Sequence, residues 1–196
     1  ARLAVARRPA AVTRAFVDFP EVERVIGQGE TKATVKLRGG LQVDLRVVPA
    51  ESFGAALMYF TGSKEHNIDL RNIALDQGLS LSEWGFKTVK GEKEIFTPRE
   101  EEVYEKLGLQ WIPPELREDR GEIQAAQAGK LPNLIQVSDL RSELHAHTTW
   151  SDGKLSVREL AQAALARGYK LLTISDHSGS LGVAGGLSPQ DLKQQR

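Results

Sequence analysis

Polar and apolar residues alternate along residues 41–48, LQVDLRVV, where Leu41, Val43, Leu45 and Val47 are separated by Gln42, Asp44 and Arg46. That period of two predicts a half-buried strand, one face toward a core and the other presenting Asp44 beside Arg46. Residues 33–37, ATVKL, carry a second strand pattern, and Arg38-Gly39-Gly40 between the two predicts a tight antiparallel reversal. Asp44 has two readings at this point. It is either a solvated sheet residue paired with Arg46 or another neighbour, or a metal-binding carboxylate on a rigid strand, which needs other acids nearby.

Helical periods flank this hairpin. Residues 9–19 predict a helix with Pro9 near its start and Val12, Phe16 and Phe19 on one face. Val22, Val25 and Ile26 mark a short element that leads into Gly27-Gln28-Gly29-Glu30-Thr31-Lys32. This GQGETK lacks the order of a Walker loop, so it is a turn, or else Lys32 and exposed amides touch phosphate there without reading sequence. The apolar run Phe53 to Phe60 reads as a helix-like start that turns at Gly62. Ser63 caps the next helix, which packs through Leu70, Ile73 and Ala74 and stops at Gly78. Tyr59 and Phe60 beside the glycine turn are core residues or stacking platforms for a base or sugar. Arg71 is a solvated cation or a phosphate or minor-groove contact, and His66 reads as a surface or turn histidine.

Residues 79–96 read as loops and short strands, with Trp84 and Phe86 filling a small core. Thr97, Pro98 and Glu100 predict a capped helix start, with Val103, Tyr104 and Leu107 on its apolar face and Glu100 to Glu102 on its surface. Pro113-Pro114, the acidic stretch to Asp119, a short helix over 123–128 and Gly129 to Pro132 read together as a segment connecting two cores.

Composition narrows the chemistry. At 196 residues the chain can form one good core or two to three small ones. Without cysteine there is no disulfide or thiol chemistry, which leaves His, Asp and Glu as side-chain metal ligands. The apolar fraction and low Pro and Gly content fit a soluble globular protein, and neither a signal peptide nor an apolar run of transmembrane length is expected. The 26 basic and 26 acidic side chains cancel, but residues 1–49 carry nine basic against five acidic, a bias that permits nucleic acid. The chain starts without Met and stops just after a strand and loop, so a fragment of a larger protein is expected.

The last fifty residues hold the densest chemistry. His145 and His147 end one predicted strand, and a helix opens at Ser156 with Glu159 completing its capping box. That helix is expected to bury Val157, Leu160, Ala161 and Leu165 before a second strand, Leu171 to Ile174, leads into Asp176 and His177. Strand, helix, strand at this spacing predicts a parallel βαβ unit. His145, His147, Asp152, Asp176 and His177 then meet at the carboxyl edge of the strands, where α/β proteins place their sites. Ordinary strand-end polar residues are the plain reading. Three of the four histidines at one edge, with two aspartates, favour a metal site capable of phosphodiester hydrolysis.

These motifs resemble a known family. LHAHTTWSDGKLSVRELAQAALARGYKLLTISDHS is similar to the opening of the PHP (polymerase and histidinol phosphatase) domain, and GQGETKATV, LQVDLRVV, YFTGSKEHNIDLR and LPNL are similar to bacterial family X DNA polymerases. The resemblance covers essentially the whole chain. It implies an α+β fold: the end of a palm sheet at 1–60, a mixed α/β thumb at 61–112, a linker at 113–138, and the first βαβ unit of a PHP-type barrel from 139. It also implies DNA-templated nucleotidyl transfer for repair gap filling, with a PHP metal-dependent 3'-5' exonuclease or phosphoesterase. Asp44 matches the third palm aspartate, the catalytic metal ligand. Thr31, Lys32, Arg46, Tyr59, Phe60, Gly62, Asn67 and Arg71 match residues that contact DNA or nucleotide. His145, His147, Asp152 and His177 match early PHP metal ligands.

The implied cofactors are Mg2+ or Mn2+ in the palm and Zn2+ or Mn2+ in the PHP part. The implied partners are primed or gapped DNA and deoxynucleoside triphosphates, without a membrane, in a cytoplasmic, nucleoid-associated protein. The palm pattern expects two further aspartates before Pro9, where ARLAVARRPA has none, and Ser142-Glu143 stands where the PHP pattern has Gly-Asp. The 196 residues alone are therefore expected to be inactive. The alternatives are a stand-alone PHP-type metallohydrolase and a non-catalytic DNA-binding module.

Overall fold

The alternating segments of the first fifty residues assemble into one sheet. The computed structural model describes residues 2–91 and 93–196, and the chain divides into two units, Ala1–Pro132 and Asn133–Arg196. In the first unit β1 (Arg2–Val5), β2 (Val22–Gln28), β3 (Lys32–Leu37) and β4 (Gln42–Val48) lie in the order β1-β4-β3-β2. β3 and β4 form the expected hairpin, with Thr34 opposite Asp44 and Lys32 opposite Arg46. Gly39 and Gly40 both adopt positive φ, 96° and 89°, the backbone that this reversal needs and that only glycine takes without strain. β1 runs parallel to β4, which requires a crossover, and α1 (Pro9–Val17) and the β2–β3 hairpin supply it. Ala33, Val35, Leu45 and Val47 are buried on the inner face. Phe19 falls past the end of α1 and is 59% exposed, so it does not extend the helix face expected of it.

The rest of this unit packs helices onto a small antiparallel sheet. α2 (Phe53–Thr61) and α3 (Lys64–Asp76) are joined at Gly62, and Ser63 caps α3 by accepting from the His66 amide at 3.3 Å. β5 (Leu79–Ser82), β6 (Gly85–Thr88) and β7 (Glu94–Ile95) follow, then α4 (Glu100–Lys106). Met58, Leu70, Phe86, Tyr104 and Ile112 form the buried centre, whereas Trp84, expected beside Phe86, is 41% exposed. Gly54 lies against the backbone of Arg99 and Glu100, where an added Cβ would fall 2.2 Å from the Arg99 carbonyl oxygen.

Three expectations for this region change. His66 is fully buried, not on the surface: its Nδ1 lies 2.8 Å from Glu122 Oε1 and its Nε2 lies 3.0 Å from the Tyr104 hydroxyl. Thr97 makes no cap. α4 begins after Arg99 with no side-chain capping bond, and the Thr97 hydroxyl is buried without a partner. The cause is Glu100, which cannot reach back because Arg117 Nη1 at 2.7 Å and Trp111 Nε1 at 2.9 Å hold its carboxylate in the interior. Residues 113–132, expected to connect two cores, belong to this one. Arg117 is fully buried with its Nε donating to the Ile112 carbonyl, and Ile123 and Ala126 of α5 (Glu122–Gln127) join the apolar cluster.

Burial holds the His66 imidazole below its usual range against the pull of Glu122. Neutral His66 then donates from Nδ1 to Glu122 and accepts at Nε2 from Tyr104, whose phenol burial pushes well up. Burial alone would raise Glu122, but hydrogen bonds from His66 and from the amides of Arg120 and Asp119 outweigh it and keep the carboxylate ionised.

The second unit contains the predicted βαβ motif. β8 (Ser142–Ala146) and β9 (Leu171–Ile174) pair in parallel around α6 (Val157–Ala166), whose capping box joins Ser156 and Glu159, and α7 (Pro189–Gln195) follows. The apolar stripe of α6 runs through Val157, Leu160, Ala161 and Ala164, so Leu165, about 100° further round, is left 73% exposed. Among the described residues no helix is long and apolar enough to cross a membrane.

Removing one partner of the Glu100–Arg117 pair strands a buried charge. Arg117→Met is therefore expected to cost roughly 3–5 kcal/mol in urea unfolding, and adding Glu100→Leu to recover most of it. The neutral state of His66 also makes stability depend on pH. Below the ordinary imidazole value of 6.5 the unfolded chain binds the proton that the folded chain refuses. The contribution is thus whole above pH 6.5 and is lost as pH falls toward the depressed folded value, with Asp69, Glu122, Arg117 and Tyr104 facing the ring. Urea midpoints taken from pH 7.5 to 5 should fall in the wild type and flatten in His66→Asn.

Candidate functional site

Asp44 sits mid-strand on β4 with its side chain on the same sheet face as Thr34, Lys32 and Arg46. The Thr34 hydroxyl donates to Asp44 Oδ1 at 2.6 Å, and Gln42 Nε2 lies 3.4 Å from Oδ2. The Thr34 bond, opposed by slight burial and helped by Gln42 and the Lys32 charge, holds the Asp44 carboxyl below its usual value. Arg46 is not its partner. That guanidinium lies 3.9 Å from Glu83 and 5.7 Å from the centre of the Phe60 ring. The described residues of β1, Arg2–Val5, bring no acid beside Asp44, which belongs to no group of three metal-binding side chains among the described residues. Thr31 and Lys32 sit where β3 begins, and the Thr31 carbonyl accepts from the Val47 amide at 2.8 Å.

At the α2–α3 junction the structure gathers most of the other candidates. Tyr59, Gly62, Asn67 and Arg71 line a cleft of about 280 Å3 together with Lys64. Tyr59 and Phe60 are half-buried and meet edge to face at 5.2 Å, and Gly62 ends α2 with φ 80°. Asn67 Nδ2 donates to the Tyr59 carbonyl at 2.8 Å, while its Oδ1 is buried without a partner. Lys64 escaped the sequence reading. Its spacing from Asn67 and Arg71, three and seven residues along one helix face, was the signal available.

The second unit brings its histidines together. His147, Asp152 and His177 each offer a ligand atom, and these atoms all lie within 4.8 Å of one another. His147 Nδ1 is 2.7 Å from Asp152 Oδ1, and His177 Nε2 is 3.5 Å from Asp152 Oδ2. The His147 bond holds Asp152 below the usual carboxylate range. Two imidazoles and an ionised carboxylate at these separations fit a divalent ion such as Zn2+ or Mn2+. His145 stands beside the trio rather than within it, stacked on His147 at 5.0 Å with Nε2 atoms 3.0 Å apart.

Asp176 turns away from the trio. Burial works to raise its carboxyl, but bonds from Ser151, Thr148 and Gln195 outweigh that and hold it low. Gly153 is fixed by packing: an added Cβ would lie 2.1 Å from the His147 carbonyl oxygen.

Residues 56–118 match the family model described as DNA polymerase beta thumb. The chain is 43% identical over 190 residues to the DNA polymerase/3'-5' exonuclease PolX of Bacillus subtilis, covering 95% of this chain and 33% of that protein. It is 36% identical over 88 residues to DNA polymerase lambda of Rattus norvegicus, and 35% identical over 78 residues to DNA-directed DNA/RNA polymerase mu of Homo sapiens. These two matches each cover 39% of this chain, and 15% and 16% of those proteins. A crystal structure of Leishmania infantum polymerase beta, a ternary P/T complex, aligns over 58% of this chain and 56% of that one at 24% identity, TM-score 0.48. The chain thus spans a third of the length of the PolX relative, and its matches to polymerases lambda and mu cover 15% and 16% of those proteins. By these matches the chain belongs to the family X DNA polymerases.

Proposed function

We propose that the chain serves DNA-templated nucleotidyl transfer on primed or gapped DNA, as the end of the palm, the thumb and the first part of a PHP domain in a larger repair polymerase of the cytoplasm. The observation that carries the reading is the ionised Asp44 on β4, followed by the Tyr59–Arg71 cleft, in a chain 43% identical to PolX over 95% of its length. Asp44 would hold Mg2+ or Mn2+ together with further palm carboxylates from the rest of the polymerase. Ions bound there supply charge neutralisation at the attacking 3'-hydroxyl and the leaving pyrophosphate of the deoxynucleoside triphosphate.

Tyr59, Phe60 and Gly62 approach the sugar and base of the incoming nucleotide. Asn67 and Arg71 face the minor-groove side of the new pair, Thr31 and Lys32 act near the backbone, and Arg46 is the basic neighbour of Asp44 on the palm strand. Contacts to the backbone position the duplex without reading its sequence.

A second activity is favoured by a separate observation, the grouping of His147, Asp152 and His177. With His145 close by, these residues would hold Zn2+ or Mn2+, whose Lewis acidity serves hydrolysis of a phosphodiester. The reading is a PHP-type 3'-5' exonuclease or phosphoesterase over residues 139–196. It is supported by the name of the PolX relative, which includes 3'-5' exonuclease.

Primer extension on gapped DNA by the intact polymerase tests the main reading. Asp44→Ala should lower extension by roughly a thousandfold, the scale of several kcal/mol of lost metal stabilisation. His147→Ala should spare extension and remove 3'-5' digestion. Extension unchanged in Asp44→Ala would overturn the role given to that residue. The preparation of Asp44 is testable by itself: Thr34→Val should move the Asp44 carboxyl titration upward in NMR, because the bond that favours its ionised form is gone. A midpoint that stays in place would show that Thr34 is not the group responsible.

A further inference from the structure

Asp176 stands next to His177 at the end of β9, yet its carboxylate belongs to the loop before α6. It accepts from the Thr148 amide at 2.7 Å, from the Thr148 hydroxyl at 2.6 Å, from the Ser151 hydroxyl at 2.5 Å and from the side-chain amide of Gln195. Thr148 is fully buried and directly follows His147, and Ser151 directly precedes Asp152. The loop closes on itself in addition, with the amides of Ser151 and Gly153 donating to the Thr148 carbonyl at 3.1 and 2.9 Å. One carboxylate therefore grips the loop beside both of its candidate ligands, and is bonded through the main chain to the third.

We infer that Asp176 is the positioning residue of the His147–Asp152–His177 cluster. It pins the 147–153 loop to the end of β9 so that three donors from two segments face one divalent ion, and it does not touch the ion. The physical gain is preorganisation, since a loop ordered beforehand loses less freedom when the ion binds. Residues that orient ligands from behind commonly account for 10- to 100-fold in metal affinity. The inference rests on the metal reading proposed above for this cluster.

The test is a double-mutant cycle on metal affinity. The 196-residue chain is stripped with chelator and titrated with Zn2+ against a chromophoric competitor, and with Mn2+ by calorimetry. Asp176→Asn, which keeps the shape, and Thr148→Val, which removes a hydroxyl donor while leaving Asp176 in place, should each weaken binding by about 10- to 100-fold. Together they should weaken it little more than either alone, because both break the same link. Urea unfolding of the metal-free variants separates this from loss of fold.

Unchanged affinity in both variants overturns the inference, as does lower apo stability with full affinity in the folded fraction. Strictly additive losses, or Asp176→Asn losing as much as His147→Ala while Thr148→Val loses nothing, would make Asp176 a ligand and overturn it as well. A wild-type chain that binds neither ion would sink the metal reading itself, and the inference with it.

Discussion

Charge taken out of water is the constraint on which the first unit depends. Arg117, fully buried, is neutralised by Glu100 and lies 5.2 Å from the Tyr104 ring centre. Tyr104 in turn meets His66, and His66 meets Glu122, which also ties down the amides of Asp119 and Arg120. A buried ion pair of this kind stabilises little compared with well-packed apolar groups, but it penalises every arrangement in which a partner is missing. The segment from 113 to 127 must therefore dock on α3 and α4 in a single way. The root of α3, where Asn67 follows His66, inherits that definition.

The two candidate sites stand at different stages of assembly. Asp44 is an ionised carboxylate kept in place by a neutral hydroxyl, without an acidic companion on the described parts of the adjoining strands. A single oxygen donor of this sort is a poor ion trap and needs carboxylates from elsewhere. The cluster of the second unit already holds three donors at ligating separations, two of them on a loop that closes on the Thr148 carbonyl. Ion affinity in this chain is thus expected to reside with the imidazoles, although the polymerase chemistry proposed above would use Asp44.

Features governed by local physics were legible in the sequence. The 33–48 hairpin followed from a period of two and a glycine pair, and α6 from its capping box. The parallel β8–β9 pair followed from the length of the crossover. Features decided by distant partners were not legible. His66 finds Glu122 fifty-six positions away, and Glu100 is drawn from its capping role by Arg117 seventeen positions on. Nothing within either helix announces such a partner, so both residues read as surface groups. Residues 113–132 have a linker's composition and lose that identity only because Arg117, Ile123 and Ala126 are swallowed by the core. Convergence of the histidines on one edge was readable from topology. The division of labour between Asp152 and Asp176 depended on which way each carboxylate turned.

Gly54 shows how such a structure resists local improvement. An alanine in the first turn of α2 would be the choice of anyone designing a better helix, worth about 1 kcal/mol by propensity. The backbone of Arg99 and Glu100 already occupies the space its methyl group needs. To admit it, the start of α4 would have to retreat and carry Glu100 away from Arg117. One carbon atom on α2 would then be felt as an unneutralised guanidinium in the neighbouring core, and a substitution that improves the element would damage the assembly.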